Sequence, residues 1–195
     1  MGDTKERILS TALELFAKNG YEAVSVSDIA GILGMTKGAL YRHYASKRAI
    51  FDSILARMAE RDRALARQWD VPEESPPEAE TTLEGVLAFS RAMFRYWTED
   101  AFAARFGRML TLEQFRSEEM GRLYQQYLAS GPLDYVAELF SGMGIARPRQ
   151  RAAEFYGPMY LLYSVYDASE DKQIVSSLLE SCLQEACWKI AANAG

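Results

Sequence analysis

The stretch from Thr36 to Arg48 holds Lys37, Arg42, Lys47 and Arg48 and no acid. That gives a local charge of +4, able to face phosphates. Set among these cations are Tyr41 and His43, with polar tips on apolar bodies, and the small residues Gly38 and Ala39. Gly38 would let the backbone approach a ligand closely. Thr36 and Lys37 can reach base edges or phosphates, and Ala39 offers only a methyl, suited to a thymine methyl. A run this short is also common as a solvated helix face. Other chemistry is sparse. His43, the only histidine, has no nucleophile or acid at a supporting spacing. Cys182 and Cys187 lie five apart, which turns them about 140° from each other on a helix, and no Cys/His pair completes a zinc site. The chain also lacks a Gly-rich phosphate loop, a His-Glu-x-x-His pair and an elbow serine. The expectation is no catalytic residue, no metal, no cofactor, and reduced cysteines in a cytoplasmic protein.

The net charge of −5 argues against nucleic acid as a partner, but its distribution does not. Residues 1–63 carry ten Lys/Arg and eight Asp/Glu, whereas residues 64–195 carry twelve and nineteen. This asymmetry points to two modules. The N-terminus has no apolar h-region, and no apolar run approaches the ~18 residues a membrane span needs.

These residues need elements to position them. After Asp3 and Thr4, the residues Ile8, Leu9, Ala12, Leu13, Leu15 and Phe16 form an apolar stripe of helical period ending at Asn19-Gly20. Ser25, three residues before Asp28, resembles a capping box for a short helix that buries Val26, Ile29, Ala30 and Leu33 and ends at Gly34. Thr36 can cap a third helix with Leu40 and Tyr44 on one face. Two short helices around a glycine turn on a longer first helix make a helix-turn-helix, and periodicity alone allows an ordinary helical hairpin equally well.

The string Ser25-Val26-Ser27-Asp28-Ile29-Ala30, then Gly34-Met35-Thr36-Lys37-Gly38-Ala39-Leu40-Tyr41-Arg42-His43-Tyr44, then Ser46-Lys47-Arg48 resembles the signature of the TetR family of transcriptional regulators. Phe16, Asn19-Gly20 and Tyr21 match that family's first helix at the right spacing. Met35, Tyr44, Ser25 and Arg48 are mild departures from its usual residues. The resemblance implies that the third helix enters the major groove, with DNA contacts from Ser25, Thr36, Lys37, Gly38, Ala39, Tyr41, Arg42, His43 and Lys47. Tyr41 and His43 fall at positions that touch phosphates in the family. Lys47, at the start of a fourth helix, sits where free N–H groups already attract an anion. Ser25 is expected to cap its helix while its backbone N–H faces phosphate.

The expected fold is all-α with about nine helices: a helix-turn-helix domain over 1–48 and a ligand-binding and dimerisation domain over 49–195. The fourth helix is expected over 47–69, followed by a Pro- and Glu-rich loop from Asp70 to Thr82. Five further helices are expected over 83–98, 100–110, 117–141, 148–167 and 169–192. Their interior candidates include many Tyr, Trp and Met residues, which suit a cavity better than a jigsaw core. A mainly apolar or aromatic effector is expected near Met93, Phe94, Trp97, Phe106, Met109, Tyr124, Tyr127, Tyr160 and Tyr163. Arg91 and Arg95 could add an anion-binding edge, though a solvated stripe reads as well. Pro132 and Pro158 should kink their helices and free the carbonyls of Leu128 and Glu154. The last two helices are apolar enough for burial or for an intersubunit bundle, and the resemblance favours the bundle, formed by Phe155, Met159, Leu162, Tyr166, Val175, Leu178, Leu179, Cys182, Leu183 and Ala186. The family then implies a homodimeric repressor on a palindromic double-stranded operator, since one recognition helix reads too few bases alone. Two other readings remain: a DNA-binding protein whose second domain only dimerises, and a helical enzyme acting on a small molecule.

Overall fold

The computed structural model describes residues 2–68 and 82–192. The end of the expected fourth helix at Trp69 and nearly all of the expected loop lie outside the described residues. Among those described, ten helices form and no strand: α1 (Gly2–Asn19), α2 (Val26–Ile32), α3 (Lys37–Tyr41), α4 (Lys47–Gln68), α5 (Leu83–Glu99), α6 (Ala101–Glu113), α7 (Glu118–Leu128), α8 (Ser130–Gly142), α9 (Pro148–Ala168) and α10 (Lys172–Ala192). None of them is long and apolar enough to cross a membrane.

The chain divides into two compact units, one of residues 1–65 with 101–124 and one of residues 66–100 with 125–195. This is a division by packing, and it cuts the sequence differently from the division by role expected at residue 48. In the first unit α1 lies along α6 and meets α2, which meets α3. The stripe read from the sequence is the core here: Ile8, Ala12 and Phe16 of α1, Ile29 of α2, Leu40 of α3 and Ile50, Phe51, Ile54 and Met58 of α4 are wholly buried. The turn between α2 and α3 depends on Gly34, whose φ of +64° an L side chain rarely adopts. Met35 N–H donates to the Ala30 carbonyl at 3.0 Å and Gly34 N–H to Gly31 at 3.1 Å, the paired bonds that end a helix in a left-handed residue.

In the second unit α9 is central, packed by α8, α10 and α5. Phe140 of α8 meets Phe155 of α9 edge-on at 5.6 Å, and Phe94 of α5 stacks on Tyr163 of α9 at 5.1 Å. The helix expected over 117–141 is two helices. Pro132 sits in the first turn of α8, where it needs no intrahelical donor, and the chain breaks at Ala129 (φ −129°, ψ −95°) instead of kinking. The Leu128 carbonyl is freed as expected, and it accepts the buried Tyr156 hydroxyl at 2.9 Å. At Pro158, by contrast, α9 runs on as one helix.

Candidate nucleic-acid interface

The surface formed by α2 and α3 is built on two caps. Asp28 N–H donates to Ser25 Oγ at 3.2 Å, and Ser25 N–H donates back to Asp28 Oδ2 at 2.7 Å, closing the capping box. The Ser25 hydroxyl also donates to Asp28 Oδ2 at 2.7 Å. These bonds hold the Asp28 carboxyl below its ordinary value, the side-chain bond first. The Ser25 N–H that was expected to face phosphate is therefore taken up inside the box. Thr36 caps α3 by accepting from Ala39 N–H at 3.1 Å.

Leu40 is wholly buried and fastens α3 to the unit, which turns the opposite face outward. Thr36, Lys37, Gly38, Tyr41 and Arg42 are exposed there, with Ala39 and His43 half-buried. A Cβ placed on Gly38 would have only Thr36 Oγ1, at 4.0 Å, as a neighbour, so the backbone is open to an approaching surface. Lys37 Nζ lies 5.9 Å from the Tyr41 ring centroid. Ile32, 64% exposed at the end of α2, adjoins this turn and was not singled out from the sequence; an apolar residue on a short helix gives no signal of which way it faces.

The +4 run is not uniformly available. Lys47 turns inward: its Nζ donates to the Tyr21 carbonyl at 2.8 Å and the Glu22 carbonyl at 3.4 Å, and it lies 4.2 Å from the Tyr21 ring centroid. Arg48 makes two parallel bonds to Glu119, at 2.8 and 2.7 Å, and a third to Asp52 at 2.7 Å, which raise its pKa further. Lys37 and Arg42 are left as the outward cations of the run.

Of the residues expected to contact an effector, Met93, Phe94, Trp97, Tyr127, Tyr160 and Tyr163 belong to the second unit, and Phe106, Met109 and Tyr124 to the first. Phe94 stacks on Tyr163 at 5.1 Å, and Trp97 meets Tyr127 edge-on at 6.3 Å. Burial pushes the Tyr163 hydroxyl well above its ordinary pKa. Tyr160 points outward at 45% exposure. Phe106 and Met109 are wholly buried in the first unit's core, and Tyr124 nearly so. Arg91 is bound by both oxygens of Glu180, one at 2.6 Å, so it is not an open anion-binding edge.

Most residues expected at a dimer interface are in the chain's own core. Phe155 and Leu183 are wholly buried, and Met159, Leu162, Tyr166, Val175 and Leu179 are buried as well, packed between α9, α10 and their neighbours. They cannot also face a partner. Leu178, exposed, and Cys182 and Ala186, half-buried, remain at the surface. The outward apolar residues are Tyr160, Leu161 and Val165 of α9 and Ile174, Leu178 and Trp188 of α10. Apolar periodicity could not separate the two sets, because both faces of these helices carry apolar residues.

Residues 8–54 match the family model described as bacterial regulatory proteins, tetR family. A curated relative, the uncharacterized HTH-type transcriptional regulator YerO of Bacillus subtilis, is 46% identical over 50 residues, 26% of this chain and 17% of the relative. The curated relatives are matched over a third of their own length or less. Among solved structures, the fatty acid degradation regulator FadR of Bacillus halodurans is similar over 96% of each chain, with TM-score 0.66 and 18% identity. The SmeT–triclosan complex is similar over 96% of this chain and 91% of its own, with TM-score 0.66 and 16% identity. Residues 8–54 thus match the family model of the tetR-type bacterial regulatory proteins, and over its length the chain shares the fold of the solved regulators.

Proposed function

We propose that the chain is a cytoplasmic transcriptional repressor that binds a palindromic operator as a homodimer and is released by a small, mainly apolar effector. The observation that carries the DNA-binding reading is the outward face of α3, where Lys37, Tyr41 and Arg42 surround the open backbone at Gly38. Thr36, Lys37 and Ala39 are the residues suited to base edges. Tyr41, Arg42 and His43 suit phosphates. Ser25 and Lys47 contribute by fixing α2 and the start of α4.

The dimer face in this reading is the outward stripe of α10 formed by Ile174, Leu178 and Trp188, together with Leu161 and Val165 one turn apart on α9. A second copy of the same face would bury both stripes as a four-helix bundle. The effector reading rests on the aromatic residues Phe94, Trp97, Tyr127 and Tyr163, with Met93 beside them, and on the triclosan complex of SmeT, a protein of the same fold. A panel of lipophilic cations, neutral aromatics and fatty or aromatic acids, screened by thermal shift and operator release, tests it. At least one class should do both; no response from any class would remove the effector from the account.

Sequencing genomic fragments retained by the purified protein tests the function as a whole. A shared motif with two-fold symmetry is expected. Fragments recovered in proportion to their abundance would overturn the reading.

A further inference from the structure

The last residue of α6 is an acid placed in the interior. Glu113 is 1% exposed. Its Oε1 accepts the Tyr21 N–H at 3.0 Å and lies 3.5 Å from Arg116 Nε, while Oε2 is buried with no hydrogen-bond partner among the described residues. The backbone opposite is shaped to admit this carboxylate: Gly20 has φ +84°, and a Cβ there would stand 2.5 Å from Glu113 Oε1. On the other side of the same residue, the Tyr21 carbonyl accepts Lys47 Nζ at 2.8 Å. The N–H and C=O of one residue between α1 and α2 are thus held by the end of α6 and the start of α4. The Arg48–Glu119 pair ties the first turns of α4 and α7 in the same unit.

Stability alone is a poor reason for such a group. A buried carboxylate loses its hydration, and an unpaired oxygen recovers none of that loss, so a neutral acceptor of the same shape would satisfy the Tyr21 N–H at less cost to the core. What the carboxylate adds is dependence on position: lengthening its 3.0 Å bond by only about 0.5 Å takes it out of hydrogen-bond range.

We propose that Glu113 is a positioning residue for the DNA-reading surface: it holds the Tyr21 peptide, and through it Lys47, so that the placement of α2 and the start of α4 depends on where α6 ends. This rests on the regulator reading above, in which α2, α3 and the start of α4 meet DNA.

The test uses the full chain, an operator fragment, anisotropy titration well below the melting temperature, and hydrogen exchange at the Tyr21 amide. Glu113→Gln keeps the accepting oxygen and its reach, and its affinity should stay within about twofold of the parent. Glu113→Asp keeps the charge but shortens the arm by about 1.5 Å, one carbon–carbon bond, and should lose about tenfold or more in operator affinity with faster Tyr21 exchange. Glu113→Ala should follow Glu113→Asp; if it does not fold, the other two variants decide. Parental binding and parental Tyr21 protection in Glu113→Asp would overturn the proposal, as would a loss in Glu113→Gln equal to that in Glu113→Asp. If the parent itself bound no DNA, the regulator reading would fail, and the exchange comparison would still show whether Glu113 holds Tyr21.

Discussion

Lys37 and Lys47 carry the same charge in the same short run, yet the fold gives them different work. Lys37 stands on the outward face of α3, and Lys47 is drawn onto the Tyr21 and Glu22 carbonyls. Lys37→Ala should change which operator is preferred and lower the salt slope of binding by about one. Lys47→Ala should weaken specific and random DNA alike and also lower the melting temperature, because it removes a brace. Salt titrations on both DNAs separate the two. The Ser25–Asp28 box gives a pH signature. Ser25 bonds hold the folded Asp28 carboxyl below its unfolded value, so their stabilisation is fully present above the unfolded value and lost as pH falls through the lowered folded one. Ser25→Ala should lower the melting temperature by about 2–4 °C near neutral pH and by less in acid. Residues such as Ser25, Thr36 and Gly34 were legible because their partners lie within a few positions. The partner of Lys47 is 26 residues away and that of Glu113 is 92, and no local pattern encodes either.

Among the elements, the break between α7 and α8 shows how far local rules reach. Pro132 correctly signals that the Leu128 carbonyl loses its helical donor, but whether a helix kinks or divides depends on what takes up the freed group. Here the Tyr156 hydroxyl takes it, from α9, and the chain divides. Pro158 raises the same sequence signal, and α9 continues through it. Tyr156→Phe leaves a buried carbonyl unpaired and should cost about 1–3 kcal/mol in denaturant unfolding without changing the helix content. The junction also needs its glycine for space: a Cβ on Gly131 would lie 2.1 Å from the Gln126 carbonyl oxygen, closer than any real contact. Gly131→Ala should therefore be the more disruptive of the two, with a shift of the local backbone.

For the molecule as a whole, the all-α class was legible from periodicity, whereas a compact unit made of residues 1–65 and 101–124 leaves no mark in the charge distribution. The faces of α9 and α10 were not legible, because an apolar stripe buried inside the chain and one left outward look alike in sequence. Replacing Leu178 and Trp188, 49% and 70% exposed, with Glu should shift sedimentation at micromolar concentration toward the monomer while leaving the helical signal intact. Unchanged sedimentation would contradict this placement of the dimer face. The central claim is that the outward face of α3 reads DNA sequence. It is tested most directly by a competition titration at fixed salt between the recovered operator and a scrambled duplex of equal length, for the parent and for Lys37→Ala. The account predicts a preference of about a thousandfold or more for the operator in the parent and a markedly smaller one in Lys37→Ala. Equal affinity of the parent for both duplexes would contradict it.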